Sequence, residues 1–199
     1  MTKLWEVKLH KLILQTFTKC FAYDKENDFI DSNKFDKIVD PLVDQLDCIG
    51  VGMKYDDFID NSVQPAIIEL FENVKDDYKW KSLNYALLMK TRSEVSTIRL
   101  AAIKVLLRVI EQLKERTAVL IQDILPFLSE TFEDEDIQVI NHDISLVDFL
   151  NRLKRSVRKL LLDSNKSLVK TSRNTSSLRE ITSIYALKKC KNMSNTKKI

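Results

Sequence analysis

A chain of 199 residues with 44% apolar content is long enough to bury a sizeable core. Two glycines and three prolines are far below ordinary usage, which argues against sheets and α/β folds, whose tight turns need glycine. The net charge of +3 conceals a split. Residues 1–150 carry 18 Lys and Arg against 27 acids, a net of −9, and residues 151–199 carry 14 against Asp163 and Glu180, a net of +12. An acidic all-α body with a basic tail is expected, suited to RNA or an acidic partner.

Apolar spacing predicts a first helix from about Thr2 to Phe21, carrying Val7, Leu12, Leu14, Phe17 and Phe21. Asp24 to Ser32 is a polar break, and Asp31 or Ser32 can accept bonds from the amides that open the next helix. That helix carries Phe35, Ile38, Val39, Leu42, Val43 and Leu46, and Pro41 is expected to kink it. Cys48 to Gly52 holds both glycines and reads as a turn. A third helix is predicted from Tyr55 to Val74, interrupted at Pro65. After the Lys75-Asp76-Asp77 turn come Tyr78–Lys90 and Glu94–Lys114, then Thr117–Phe132 with Pro126 inside it. An acidic turn, Glu133 to Asp136, leads into a long helix from Ile137 to about Leu162.

The two segments meeting at Thr91-Arg92-Ser93 have the pattern of a HEAT-type hairpin. Ala101 and Ala102 allow its helices to approach closely, and Arg99 falls at the rim. Pro41 and Pro126 occupy matching first-helix positions 85 residues apart, about twice a HEAT unit of ~40–47 residues. About three hairpins therefore fit the chain, as an α-solenoid whose first helices are bent by proline around the stack. The domain is expected over 1–163. The tail, 164–199, is rich in serine and lysine and expected to be largely disordered, with a short helix possible over Leu178–Lys189. Such a surface suits binding more than chemistry.

Motifs for catalysis, metals and cofactors are lacking. No GxSxG, HExxH, Walker or dinucleotide loop occurs, and no enzyme activity, cofactor, metal or small-molecule substrate is expected. Asp24, Glu26 and Asp28 begin like a calcium loop, but Phe29 replaces the glycine and Phe35 the bidentate glutamate. A solvated loop is the better reading, and the acids 133–136 are read as complementing a helix dipole. His10 and His142 lack ligand spacing and are read as surface or boundary residues. Cys20, Cys48 and Cys190 show no CxxC spacing; the first two are read as buried thiols. With no signal-like stretch and no run approaching ~20 apolar residues, a reducing intracellular setting and no membrane partner are expected.

Two sets of candidate contacts stand out. Lys90, Arg92 and Arg99 surround the central turn and are candidate protein contacts, although each can equally hold adjacent helices together. Arg152, Lys154, Arg155, Arg158 and Lys159 line the end of the last helix, where Leu153, Val157 and Leu160 keep another face apolar. They suit RNA phosphate or an import receptor, or simply complement the helix C-terminus. Aromatic residues are not interleaved with them, so any RNA binding is expected to be non-specific and salt-sensitive.

Several stretches, in order, resemble the C-terminal domain of the large nucleolar HEAT-repeat component of the small-subunit processome, associated with the U3 small nucleolar RNA. They are Cys20-Phe-Ala-Tyr-Asp24, Phe35-Asp36 with Pro41 to Leu46, Trp80 to Asn84, Leu88 to Arg92 with Ile98-Arg99, and Leu125 to Glu130. Together they span roughly 1–150, and Trp80, Asn84 and Lys90-Thr-Arg92 exceed what a generic HEAT unit requires. The resemblance implies a non-enzymatic scaffold in the nucleolus, acting in 18S rRNA maturation and rDNA transcription. Its partners would be other processome proteins and, indirectly or through the basic tail, the pre-rRNA and small nucleolar RNA particle. The basic end after about Leu153 does not match that family. A generic HEAT adaptor and an RNA-binding module driven by the tail are the alternatives.

Overall fold

The computed structural model describes residues 2–24, 29–48 and 54–164. Among the described residues every regular element is helical. The elements are α1 (Thr2–Tyr23), α2 (Ser32–Val43), α3 (Tyr55–Phe58), α4 (Gln64–Asn73), α5 (Asp77–Lys90), α6 (Ser96–Leu113), α7 (Ile121–Thr131) and α8 (Ile137–Ser164). By internal contacts the chain divides into two units, Met1–Asp123 and Ile124–Ile199. The turn at the two glycines, Cys190 and the tail, with its expected short helix and disorder, fall outside the described residues.

Helix starts follow the sequence closely. The Asp31 carboxylate accepts from the Lys34 amide at 2.8 Å, opening α2, and Asp76 does the same for the Tyr78 amide at 2.9 Å, opening α5. α2 runs through Pro41 to Val43 and then tightens into a 3-10 turn, Asp44–Asp47. The interruption expected at Pro65 is present just before it. A π segment, Ile59–Val63, joins α3 to α4 and places Pro65 in the first turn of α4, so the wider turn absorbs the clash with the carbonyl four residues back. The single helix expected over Thr117–Phe132 is instead a 3-10 segment, Lys114–Val119, followed by α7.

The first unit is built in two layers. In one, α1 packs on α4 and α4 on α6; in the other, α2 packs on α5. α5 pairs with α6 across the layers, and α2 meets α4. The core between them holds Phe35, Phe58, Phe71, Leu83, Leu87 and Ile103, all fully buried. Each contributes about 1.5–3 kcal/mol relative to exposure. Ala101 and Ala102 are buried in α6, as the small-residue pattern requires for close approach. In the second unit the buried face of α8 carries Val139, Leu146, Val147 and Leu150 at three-to-four spacing, and α7 buries Ile124, Phe127 and Leu128.

Candidate functional site

The best-defined local structure is the α5–α6 hairpin and its turn. Residues Trp80, Leu83, Asn84, Leu87 and Leu88 form the buried face of α5. At its end the Thr91 hydroxyl and amide both donate to Leu88 O, at 2.7 and 3.0 Å, and the amides of Arg92 and Ser93 reach Met89 O and Lys90 O. These bonds satisfy carbonyls that a helix end otherwise leaves open. The Ser93 hydroxyl accepts the Val95 amide at 3.3 Å as the chain turns towards α6.

Lys90 and Arg99, both singled out from the sequence, make well-defined bonds inside the fold. Lys90 Nζ donates to Asp44 at 2.7 Å and to Asp47 at 2.6 Å, tying α5 to the turn after α2. Burial works against its charge, but the bonds to Asp44 and Asp47 prevail and hold its pKa above 10.5. Arg99 Nη1 donates to the carbonyls of Ser93 and Glu94 at 2.9 and 3.0 Å, closing the turn onto the first turn of α6. Arg92 projects as an exposed side chain. Arg99 therefore serves the hairpin itself, and Lys90 joins it to the segment after α2, whatever else they touch.

At the basic end, Arg152 is exposed, with its guanidinium 5.4 Å from the Phe149 ring centroid. Lys154, Arg155, Arg158 and Lys159 lie on α8, but their side chains fall outside the described residues. In the acidic turn, Asp134 accepts the Asp136 amide and Asp136 the Gln138 amide, both at 2.8 Å, so these acids open α8. Both carboxylate oxygens of Asp24 are used, by the amides of Phe29 and Ile30 at 2.9 and 2.8 Å.

Other features had weak sequence signals or none. The Trp80 indole donates to Phe71 O and Val74 O, with Arg116 4.6 Å from its ring centroid. Tyr55 donates to Leu46 O at 2.6 Å, and burial, followed by the charges of Asp47, Asp56 and Cys48, raises its pKa far above the usual phenol value. Cys20 and Cys48, expected to be buried, are half-buried. Cys20 shares by helical spacing the side of α1 that also bears the exposed Leu9 and Ile13. Burial raises the Cys48 thiol above its usual pKa, with Asp47 and Asp44 adding to the effect, which makes it a poor nucleophile. Among the described residues no group of His, Cys, Asp and Glu is arranged to hold a metal ion. Among the same residues no helix is long and apolar enough to cross a membrane.

Successive helix pairs stacked in two layers, with cations latching the turns, define an all-α solenoid of HEAT type. No protein-family model matches the chain. It is 34% identical over 140 residues to HEAT repeat-containing protein 1 of Danio rerio, covering 70% of this chain and 6% of that protein. To the Homo sapiens protein of that name it is 36% identical over 128 residues, covering 64% of this chain and 6% of the relative. To U3 small nucleolar RNA-associated protein 10 of Neurospora crassa it is 30% identical over 128 residues, 64% of this chain and 7% of that protein. The chain thus spans about 6–7% of the length of these curated relatives. It belongs to the HEAT repeat-containing protein 1 family.

Proposed function

We propose that this chain is a non-enzymatic contact module of a nucleolar ribosome-biogenesis scaffold, acting within the small-subunit processome in 18S rRNA maturation and rDNA transcription. The observation that carries this reading is the match, over most of the helical body, to relatives named for association with the U3 small nucleolar RNA. The architecture agrees with it: Lys90 joins α5 to the segment after α2, Arg99 closes the α5–α6 turn, and Arg92 is exposed beside them. The partners on this reading are other processome proteins, with Arg92 at the contact. The test is to image the tagged chain and recover it with pre-rRNA and the U3 RNA. Nucleolar enrichment with both RNAs is expected; recovery only with cytoplasmic complexes overturns the reading.

A second role rests on the +12 net charge of residues 151–199. On this reading Arg152, Lys154, Arg155, Arg158 and Lys159 contact RNA phosphate without reading sequence, so retention on RNA falls steeply as salt rises. Equal retention by the full chain and by one ending at Asn151, across a salt series, overturns it.

A further inference from the structure

The outer side of α5 carries large side chains in the open. Tyr78 is 73% exposed, Tyr85 58% and Met89 41%. With Ser82 they recur at steps of four, three and four residues, so they form one stripe along the helix, opposite the packed face of Trp80, Leu83 and Leu87. Single exposed apolar residues are ordinary, but a contiguous row of them marks a contact surface.

Beside that stripe α2 presents acids. Asp36, Asp40 and Asp44 follow one another at four-residue steps, and all three are exposed. The two helices run side by side in the same direction. At one end Lys79 Nζ lies 5.5 Å from the Phe35 ring centroid, and at the other Lys90 bonds to Asp44. Between them lies a groove of about 270 Å³, with Asp40, Val43 and Asp44 on one wall and Ser82, Tyr85 and Met89 on the other. That is smaller than the ~300–1,000 Å³ of an ordinary small-molecule site. The groove is long, however: from Lys79 to Lys90, α5 rises about 16 Å, the span of about five extended residues.

Charge selects what can lie there. Lys90 is held by Asp44 and Asp47, which leaves Asp36 and Asp40 without an ion pair among the described residues. Acids on this wall repel RNA phosphate and attract a cation. Arginine fits better than lysine, because its planar guanidinium bonds both oxygens of a carboxylate and lies flat against an aromatic ring. Asp40 and Tyr85, on opposite walls, offer that pair of contacts.

We propose that the α2–α5 groove docks an extended, arginine-bearing segment of a partner protein. The guanidinium sits between Asp40 and Tyr85, and apolar neighbours in the segment lie along Tyr78 and Met89. The proposal does not involve Arg92 and does not rest on the nucleolar reading.

The experiment selects binders to the purified full chain from a phage library of random peptides about seven residues long, enough to span the groove. Enriched peptides are expected to carry arginine beside an apolar residue. In fluorescence anisotropy Asp40→Lys and Tyr85→Ser should each weaken the best peptide by about tenfold or more, as should glutamate in place of its arginine. Asp57→Lys, which alters an exposed acid of α3 outside the groove, should change affinity by less than about twofold. Asp40 and Tyr85 are exposed, so the midpoint of thermal unfolding should stay within about 4 °C. Should the lysine disturb α2, Asp40→Asn keeps the shape and must still weaken binding. No enrichment, as for a groove closed by another part of the chain or by a second copy, overturns the proposal. So do enriched peptides lacking arginine, unchanged affinity in both Asp40 variants, or an equal loss in Asp57→Lys.

Discussion

The indole nitrogen of Trp80 donates to the carbonyl oxygen of Val74 at 2.8 Å and to that of Phe71 at 2.9 Å. One buried side chain of α5 thereby closes the end of α4, where carbonyls lack helical partners. Replacing Trp80 with Phe keeps an aromatic ring but removes the donor. Two buried acceptors and a smaller side chain should together cost about 2–4 kcal/mol, read as a lower urea midpoint by far-ultraviolet circular dichroism. A loss within about 0.5 kcal/mol would mean that the indole bonds contribute nothing net.

Lys90 links residues far apart in sequence, with Asp44 and Asp47 as its acceptors. Both carboxylates are about half exposed, so the pair is worth about 1 kcal/mol or less. Lys90→Met should lower stability by that amount, and a double-mutant cycle with Asp47→Asn should show coupling that weakens in about 1 M salt, where the screening length falls to about 3 Å. The pH dependence has a definite sign. The folded-state pKa of Lys90 lies above 10.5, so its stabilisation is fully present below that value and is lost as pH rises through the raised one. The stability difference between wild type and Lys90→Met should therefore shrink in strong alkali, while a constant difference would place the effect in packing alone.

Much of this arrangement was legible from local pattern. The α5–α6 hairpin follows from apolar positions at three-to-four spacing, the Lys75-Asp76-Asp77 turn and the paired alanines Ala101 and Ala102, all of which act within a few residues. Its latches were less legible. Lys90 and Arg99 were visible as cations near a turn, but only folding brings Asp47 to Lys90, because their proximity depends on α2 lying beside α5. Pro65 announced an irregularity without showing that a π segment would absorb it. The apolar residues of α1 were equally plain, and what escaped was their exposure, which depends on which helices are present to cover them.

The break between α6 and α7 carries no glycine or proline, and Lys114 bears its cost. Its backbone has φ 50° and ψ −122°, a region that a Cβ atom disfavours. Its carbonyl accepts the Thr117 hydroxyl, so the turn is held in place despite that cost. Lys114→Gly should raise stability by about 1 kcal/mol, the strain relief exceeding glycine's greater freedom in the unfolded chain. Lys114→Val should lower it. Urea midpoints of the two variants, falling on opposite sides of wild type, are the check.

Asn84 stands on the packed face of α5 with no solvent exposure, and neither its side-chain oxygen nor its nitrogen has a hydrogen-bond partner among the described residues. Its neighbours on that face are Trp80, Leu83, Leu87 and Leu88, so the amide gives up water for an apolar surround. Each unmet polar atom costs on the order of 1–3 kcal/mol. Asn84→Ala removes both, favours the helix by about 0.5 kcal/mol and leaves only a small void. The balance predicts a net gain of about 1 kcal/mol or more in chemical unfolding. Asn84→Asp, which buries a charge in the same place, should be strongly destabilising at neutral pH and recover part of its stability as acid neutralises the carboxylate. A destabilised alanine variant would show that the amide is bonded in solution, and that its presence on this face supports the hairpin instead of weakening it.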